Sequence, residues 1–202
     1  MPICRAICCA IVVGIFSGET LAAAEPAASK IVVAFDADDA LTRAEPQDAT
    51  LHRVREGGFT SIRIATGHTA EWPGVTLPVP DENSDLEAYS QLTTMVKNVD
   101  SKPIKVFCRV DSADGNPDRN SVTESIELGP GESSVLAVPL RRTLPPALAD
   151  KLFGMRGYPG GRSKDRGLIA SDITKIIFFV HRPESDCEFE LGDVRATGSI
   201  ES

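Results

Sequence analysis

The residues able to do chemistry in this sequence are few. Trp72 is the only tryptophan and Tyr158 is one of two tyrosines; an aromatic ring offers a flat apolar surface on which a ligand ring can stack. Arg109 and Arg156 carry planar guanidinium forks that donate paired hydrogen bonds to adjacent oxygens. Hydrolytic sets do not emerge. A glycosidase needs two carboxylates facing each other across a cleft, and a hydrolytic triad needs a serine, a histidine and an acid. His52, His68 and His181 stand in unrelated contexts, and no serine sits on a nucleophile elbow. The residue types describe binding, not an enzyme.

Each of these residues has a plainer role to set beside the binding one. A lone large aromatic is usually buried, so Trp72 is either a plug under its loop or a platform. Tyr158, between Gly157 and Pro159, is harder to bury and is the better platform. Arg156 either braces the long loop around it or donates to a ligand. Phe107, Arg109 and Asp111 form an outward row that lines a concave face, is solvated, or is covered by that loop.

The elements that must position these residues are strands. Ile104, Val106, Cys108 and Val110 alternate with Lys105, Phe107, Arg109 and Asp111, the period-2 pattern of a strand with one buried face. A strand ending at Val96-Lys97-Asn98 precedes it, and the polar stretch from Asn98 to Pro103 between them reads as the turn of an antiparallel hairpin. Further strands are expected at Lys30–Phe35, Leu51–Val54, Phe59–Ala65, Gly74–Val79, Val122–Leu128, Ser133–Leu140, Ile173–Val180 and Cys187–Ala196. Gly57-Gly58 turns one pair, and the turn Gly129-Pro130-Gly131-Glu132 makes Ser133–Leu140 the partner of Val122–Leu128. The stretch from Arg142 to Ser171 differs, with a short helix at Pro145–Leu152 and then the glycine-rich FGMRGYPGG. A connection that long is more often functional than idle. Regularly spaced strands, Gly/Pro turns and almost no helix give an all-β, antiparallel two-sheet β-sandwich.

Composition narrows the partners. The chain has 202 residues, suited to one domain, and a net charge of −8. Without a cluster of Lys and Arg it is no nucleic-acid binder, and the acidity reads most simply as solubility. Arg5, the apolar run Ala6–Phe16 and the small residues Ala22-Ala23-Ala24 have the form of a signal peptide over 1–24, too short to span a bilayer. Cleavage after Ala24 leaves a lead-in over 25–29, a sandwich domain over 30–196 and a tail over 197–202. No membrane anchor remains, because Cys4, Cys8 and Cys9 lie too early for lipidation. The product is expected in the periplasm or outside the cell. Cys108 and Cys187 then remain, either disulfide-bonded in that oxidising compartment or buried as small hydrophobes. Two such cysteines without a CxxC, and three scattered histidines, make no zinc site.

The order of several short motifs resembles a known family. They are Trp72-Pro73-Gly74-Val75, Asp85-Leu86 ahead of Tyr89, Val96-Lys97-Asn98, Cys108-Arg109-Val110-Asp111, Leu128-Gly129-Pro130-Gly131-Glu132, Phe153-Gly154-Met155-Arg156-Gly157, and Phe189 to Val194. Together they are similar to the carbohydrate-binding-module-like, galactose-binding-like jelly roll found ahead of the catalytic barrel in β-agarases, over roughly Lys30 to Ala196. The resemblance implies a non-catalytic domain recognising a neutral polysaccharide or oligosaccharide, such as an agar-type galactan, with a separate glycoside hydrolase as a partner. Trp72, Arg109, Arg156 and Tyr158 would then form the sugar site. It also implies a structural calcium ion near the end of the first strand and in the last one. Asp36, Asp38 and Asp39, with Asp193 as the late partner, supply suitable oxygens, although Gly192 stands where related modules place an acid. The plainer reading of those aspartates is an acidic turn. The rival function is a structural or protein-interaction sandwich with no sugar site.

Overall fold

The computed structural model describes residues 29–36, 38–117, 119–141 and 167–199. The expected signal peptide, the helix at 145–152, Arg156 and Tyr158 lie outside the described residues. Twelve strands, one short α-helix and a single 3-10 turn (Asp81–Asn83) are found among them. In chain order these are β1 (Ser29–Val33), α1 (Asp38–Arg43), β2 (Glu45–Gln47), β3 (Ala49–Glu56), β4 (Phe59–Thr66), β5 (Gly74–Pro78), β6 (Tyr89–Asn98) and β7 (Ile104–Asn116). Then come β8 (Arg119–Leu128), β9 (Ser133–Pro139), β10 (Ile173–Phe179), β11 (Cys187–Leu191) and β12 (Val194–Ser199).

The strands form two antiparallel sheets. One is ordered β1-β12-β6-β11-β4-β3, with β9 also on β6; the other is β2-β5-β10-β7-β8. The expected two-sheet sandwich is therefore present. β10 (ITKIIFF) lies at the centre of the five-stranded sheet, between β5 and β7. Ile104, Val106, Cys108, Val110, Ile176, Phe178, Phe189 and Leu191 all belong to one buried core, as their alternation predicts. A period of two leaves the intervening residues, Phe107 and Arg109 on β7, Ile177 and Phe179 on β10, for the outer face.

Two expected hairpins are instead crossings between the sheets. β6 pairs with β9, β11 and β12, whereas β7 pairs with β8 and β10. Likewise β9 returns onto β6 and not onto β8. The physical reason is at Asn98, which the sequence reading places at the start of a hairpin turn. Its side chain is fully buried and its amide nitrogen donates to the carbonyls of Lys102, Leu128 and Gly129 at 2.8, 3.1 and 3.0 Å. Its Oδ1 accepts from the Asp100 N–H at 2.8 Å, and its own N–H donates to the Glu132 carbonyl at 2.8 Å. One amide thus fastens both crossings, satisfying carbonyls that have left their ladders.

Two further elements differ from expectation. The acidic turn after β1 passes into α1, and β2 was not expected at all, because its three residues, Glu45, Pro46 and Gln47, are all exposed and give no apolar alternation. β2 is an edge strand, where proline is tolerated. Cys108 and Cys187 are free thiols. Burial pushes both thiols above their ordinary range, so neither is a ready nucleophile.

Candidate functional site

The outer face of the five-stranded sheet carries a cleft of ≈ 470 Å³. Register places its floor in two cross-strand rows. In the first, Phe179 of β10 lies opposite Gly74 of β5 on one side and Phe107 of β7 on the other, with Gln47 of β2 beyond Gly74. In the second, Ile177 lies between Thr76 and Arg109, and Arg109 faces Thr123 of β8. All of these residues line the cleft, with Trp72 and Pro117 completing it.

Aromatic rings shape one side of the cleft. Phe107 and Phe179 lie parallel, with centroids 5.3 Å apart and planes 5° from coplanar. Trp72 meets Phe179 edge-on, 5.5 Å between centroids and 83° between planes. Trp72 is therefore not a core plug: 43% of it is exposed. Gly74 has a packing reason to be glycine, since a Cβ there would collide with the Phe178 carbonyl and Phe179.

The charge in the cleft is cancelled locally. Arg109 donates through Nε to Asp111 Oδ1 at 2.9 Å and through Nη2 to Oδ2 at 3.0 Å. Asp111 is 1% exposed and Arg109 partly so. This two-point pairing aims the guanidinium along the sheet and leaves little net field. The remaining polar groups in the cleft, Gln47, Thr76 and Thr123, are uncharged.

The loop bearing Trp72 is tied down at both ends. Asp48, at φ 46°, accepts the Thr69 and Ala70 N–H groups on Oδ2 at 2.8 and 2.9 Å, and its carbonyl accepts the Gly67 N–H at 2.7 Å. Those amides, Ala70's first, hold the Asp48 carboxyl below its ordinary range. A side chain at position 67 would strike the Asp48 carboxylate. At the other end, the N–H of Val180 donates to the Pro73 carbonyl at 3.0 Å and that of Arg182 to the Glu71 carbonyl at 2.9 Å. The Arg182 and Glu71 side chains also pair, at 2.6 Å.

Of the expected sugar-site residues, the structure brings Trp72 and Arg109 into one cleft, while Arg156 and Tyr158 lie outside the described residues. Asp36 and Asp193 line a different groove, ≈ 690 Å³, on the outer face of the seven-stranded sheet, together with Phe59, Met95 and Val135. Asp193 is engaged there: Oδ1 accepts the Phe35 N–H at 3.0 Å and Oδ2 accepts from Arg195 at 3.2 Å. Asp38 opens α1, and its side chain and that of Asp39 lie outside the described residues. Among the described residues no three His, Cys, Asp or Glu side chains gather as a metal site. Sequence reading missed Gln47, Thr76, Thr123 and Phe179. Phe179 had a signal, because in IIFFV the alternation that buries Ile176 and Phe178 turns Ile177 and Phe179 outward.

No protein-family model matches the chain, and no curated protein sequence matches it. Solved structures do. An exo-β-agarase superposes with a TM-score of 0.63 at 16% identity, covering 85% of this chain and 25% of that one. A family 11 carbohydrate-binding module from Clostridium thermocellum, solved in complex with a β-1,3-1,4-mixed-linked tetrasaccharide, gives 0.57 at 17% identity, covering 88% of this chain and 99% of the module. The agarase AgWH50C gives 0.58 at 13% identity, over 86% of this chain and 25% of its own. The fold is a carbohydrate-binding-module-like jelly roll. The chain matches about a quarter of the length of these agarases and nearly all of the module.

Proposed function

We propose that this chain is an exported, non-catalytic domain that binds a neutral polysaccharide in the cleft of its five-stranded sheet. The observation that carries the proposal is the cleft itself, where Trp72, Phe107 and Phe179 surround a guanidinium already neutralised by Asp111. Apolar rings accept the C–H face of a sugar, while Arg109, Gln47, Thr76 and Thr123 are placed to meet its hydroxyls. Among the described residues lining the cleft the one cation is Arg109, already paired with Asp111, so an anionic polymer gains little from it. The floor crosses five strands, about 19 Å at the usual 4.8 Å spacing, so it suits a stretch of several sugar units. That a module of the same fold was captured with a mixed-linked tetrasaccharide supports a saccharide as ligand. The likeness to agarases makes an agar-type galactan the first ligand to try and a glycoside hydrolase the partner in its use.

The test is native gel electrophoresis of the domain starting at Glu25 through gels containing agar-type galactan, mixed-linked β-glucan or a sulfated polymer. Retardation in a neutral gel, reduced about tenfold or more in apparent affinity by Trp72→Ala, is the expected result; a stacking ring contributes about 1–3 kcal/mol. Free migration in every gel would instead favour the structural or protein-interaction sandwich.

A further inference from the structure

His181 touches Trp72 in a way that nothing in the cleft requires. The imidazole lies flat on the indole, with centroids 4.0 Å apart and planes 14° from parallel. The two residues belong to segments already strapped together by the hydrogen bonds from Val180 to Pro73 and from Arg182 to Glu71. Residue 181, between those two rungs, lays a ring on the ring of residue 72. Phe179, the other aromatic against Trp72, meets it at 83°, so of the two it is His181 that lies parallel to the indole and covers its face.

We propose that His181 is a positioning residue: its ring, stacked on Trp72, fixes the indole as the wall of the cleft. The inference rests on the binding reading above but concerns a residue outside the cleft lining. Two rotatable bonds let a half-exposed indole leave its place. A flat partner on one face and the Phe179 edge beside it hold the ring in one orientation, so the ligand meets a wall already formed and less ordering is left to the binding step. Any flat ring at position 181 can do this, and charge is not needed for it.

The same contact supplies its own reporter. Trp72 is the only tryptophan in the chain, so all indole emission comes from this stack. A ring lying on the indole face shields it from a dissolved quencher such as acrylamide, so quencher access reads the stack directly.

The experiment compares the parent, His181→Ala, His181→Phe and Trp72→Ala, each with a thermal melt as control. Acrylamide should reach the indole more readily in His181→Ala than in the parent, and no more readily in His181→Phe. Affinity for the retarding polysaccharide should drop about two- to tenfold in His181→Ala, the worth of one aromatic pair, and stay within about twofold of the parent in His181→Phe. Acrylamide access in His181→Ala no greater than in the parent overturns the stack. Parental affinity in His181→Ala, with Trp72→Ala weakened, overturns positioning and leaves the cleft reading standing. If Trp72→Ala binds like the parent, the cleft reading fails, and the acrylamide result still decides whether His181 fixes the ring.

Discussion

Arg109 and Asp111 show how a single pair serves both stability and recognition. Asp111 is 1% exposed, so removing its partner strands a carboxylate in a low-dielectric place. Arg109→Ala should therefore cost about 3–5 kcal/mol, the usual penalty for breaking a buried pair, read by urea unfolding. A loss under 1 kcal/mol would mean that Asp111 finds water or another donor. Asp48 makes a different prediction. Its carboxyl is held below its ordinary range by the Ala70 amide first, then by the Thr69 hydroxyl and amide, so the folded state resists its protonation more than the unfolded chain does. The stability it contributes is present above about pH 4 and is lost as pH falls below that. The parent's melting temperature should accordingly drop more steeply between about pH 5 and 3 than that of Asp48→Asn. Parallel curves would show that the loop amides are as well satisfied without the charge. At this scale the sequence was partly legible. Trp72, Phe107 and Arg109 were readable from residue type and alternation. His181 was not, because an imidazole-on-indole stack joins residues 109 positions apart whose meeting depends on the β5–β10 register.

Among the elements, strand positions and facing were legible and pairing was not. The alternation in β7 buried Val106, Cys108 and Val110 as expected, yet its neighbour β6 belongs to the other sheet. A polar connection of a few residues looks the same in sequence whether the chain folds back or crosses a sandwich. Both strands also present an apolar row to the same core in either case. What decides is which carbonyls the connection leaves to be satisfied, and here Asn98 satisfies three. Asn98→Ala should thus cost about 3 kcal/mol, since it leaves buried acceptors without donors. Asn98→Asp should cost more, because it brings a negative charge to those carbonyls. Denaturant midpoints of the two variants check this, and an unchanged midpoint for Asn98→Ala would mean that the crossings hold without it.

The molecule as a whole presents two outer sheet faces, and they differ in kind. The seven-stranded face has a larger groove, with Glu190 bridging Arg63 and Lys97 at 2.6 and 3.9 Å and with Phe59, Met95 and Val135 exposed beside it. The five-stranded face gathers Trp72, Phe107, Phe179 and a neutralised Arg109. On the proposed function, the ligand binds the second face. The most direct measurement is an amide chemical-shift map by NMR as the polysaccharide that retards the domain is titrated in as a short oligosaccharide. Shifts should concentrate at Gln47, Thr76, Phe107, Arg109, Ile177 and Phe179, with the Trp72 indole N–H among the largest. Shifts confined to Met95, Val135, Glu190 and their neighbours, with the Trp72 indole unmoved, would contradict the assignment.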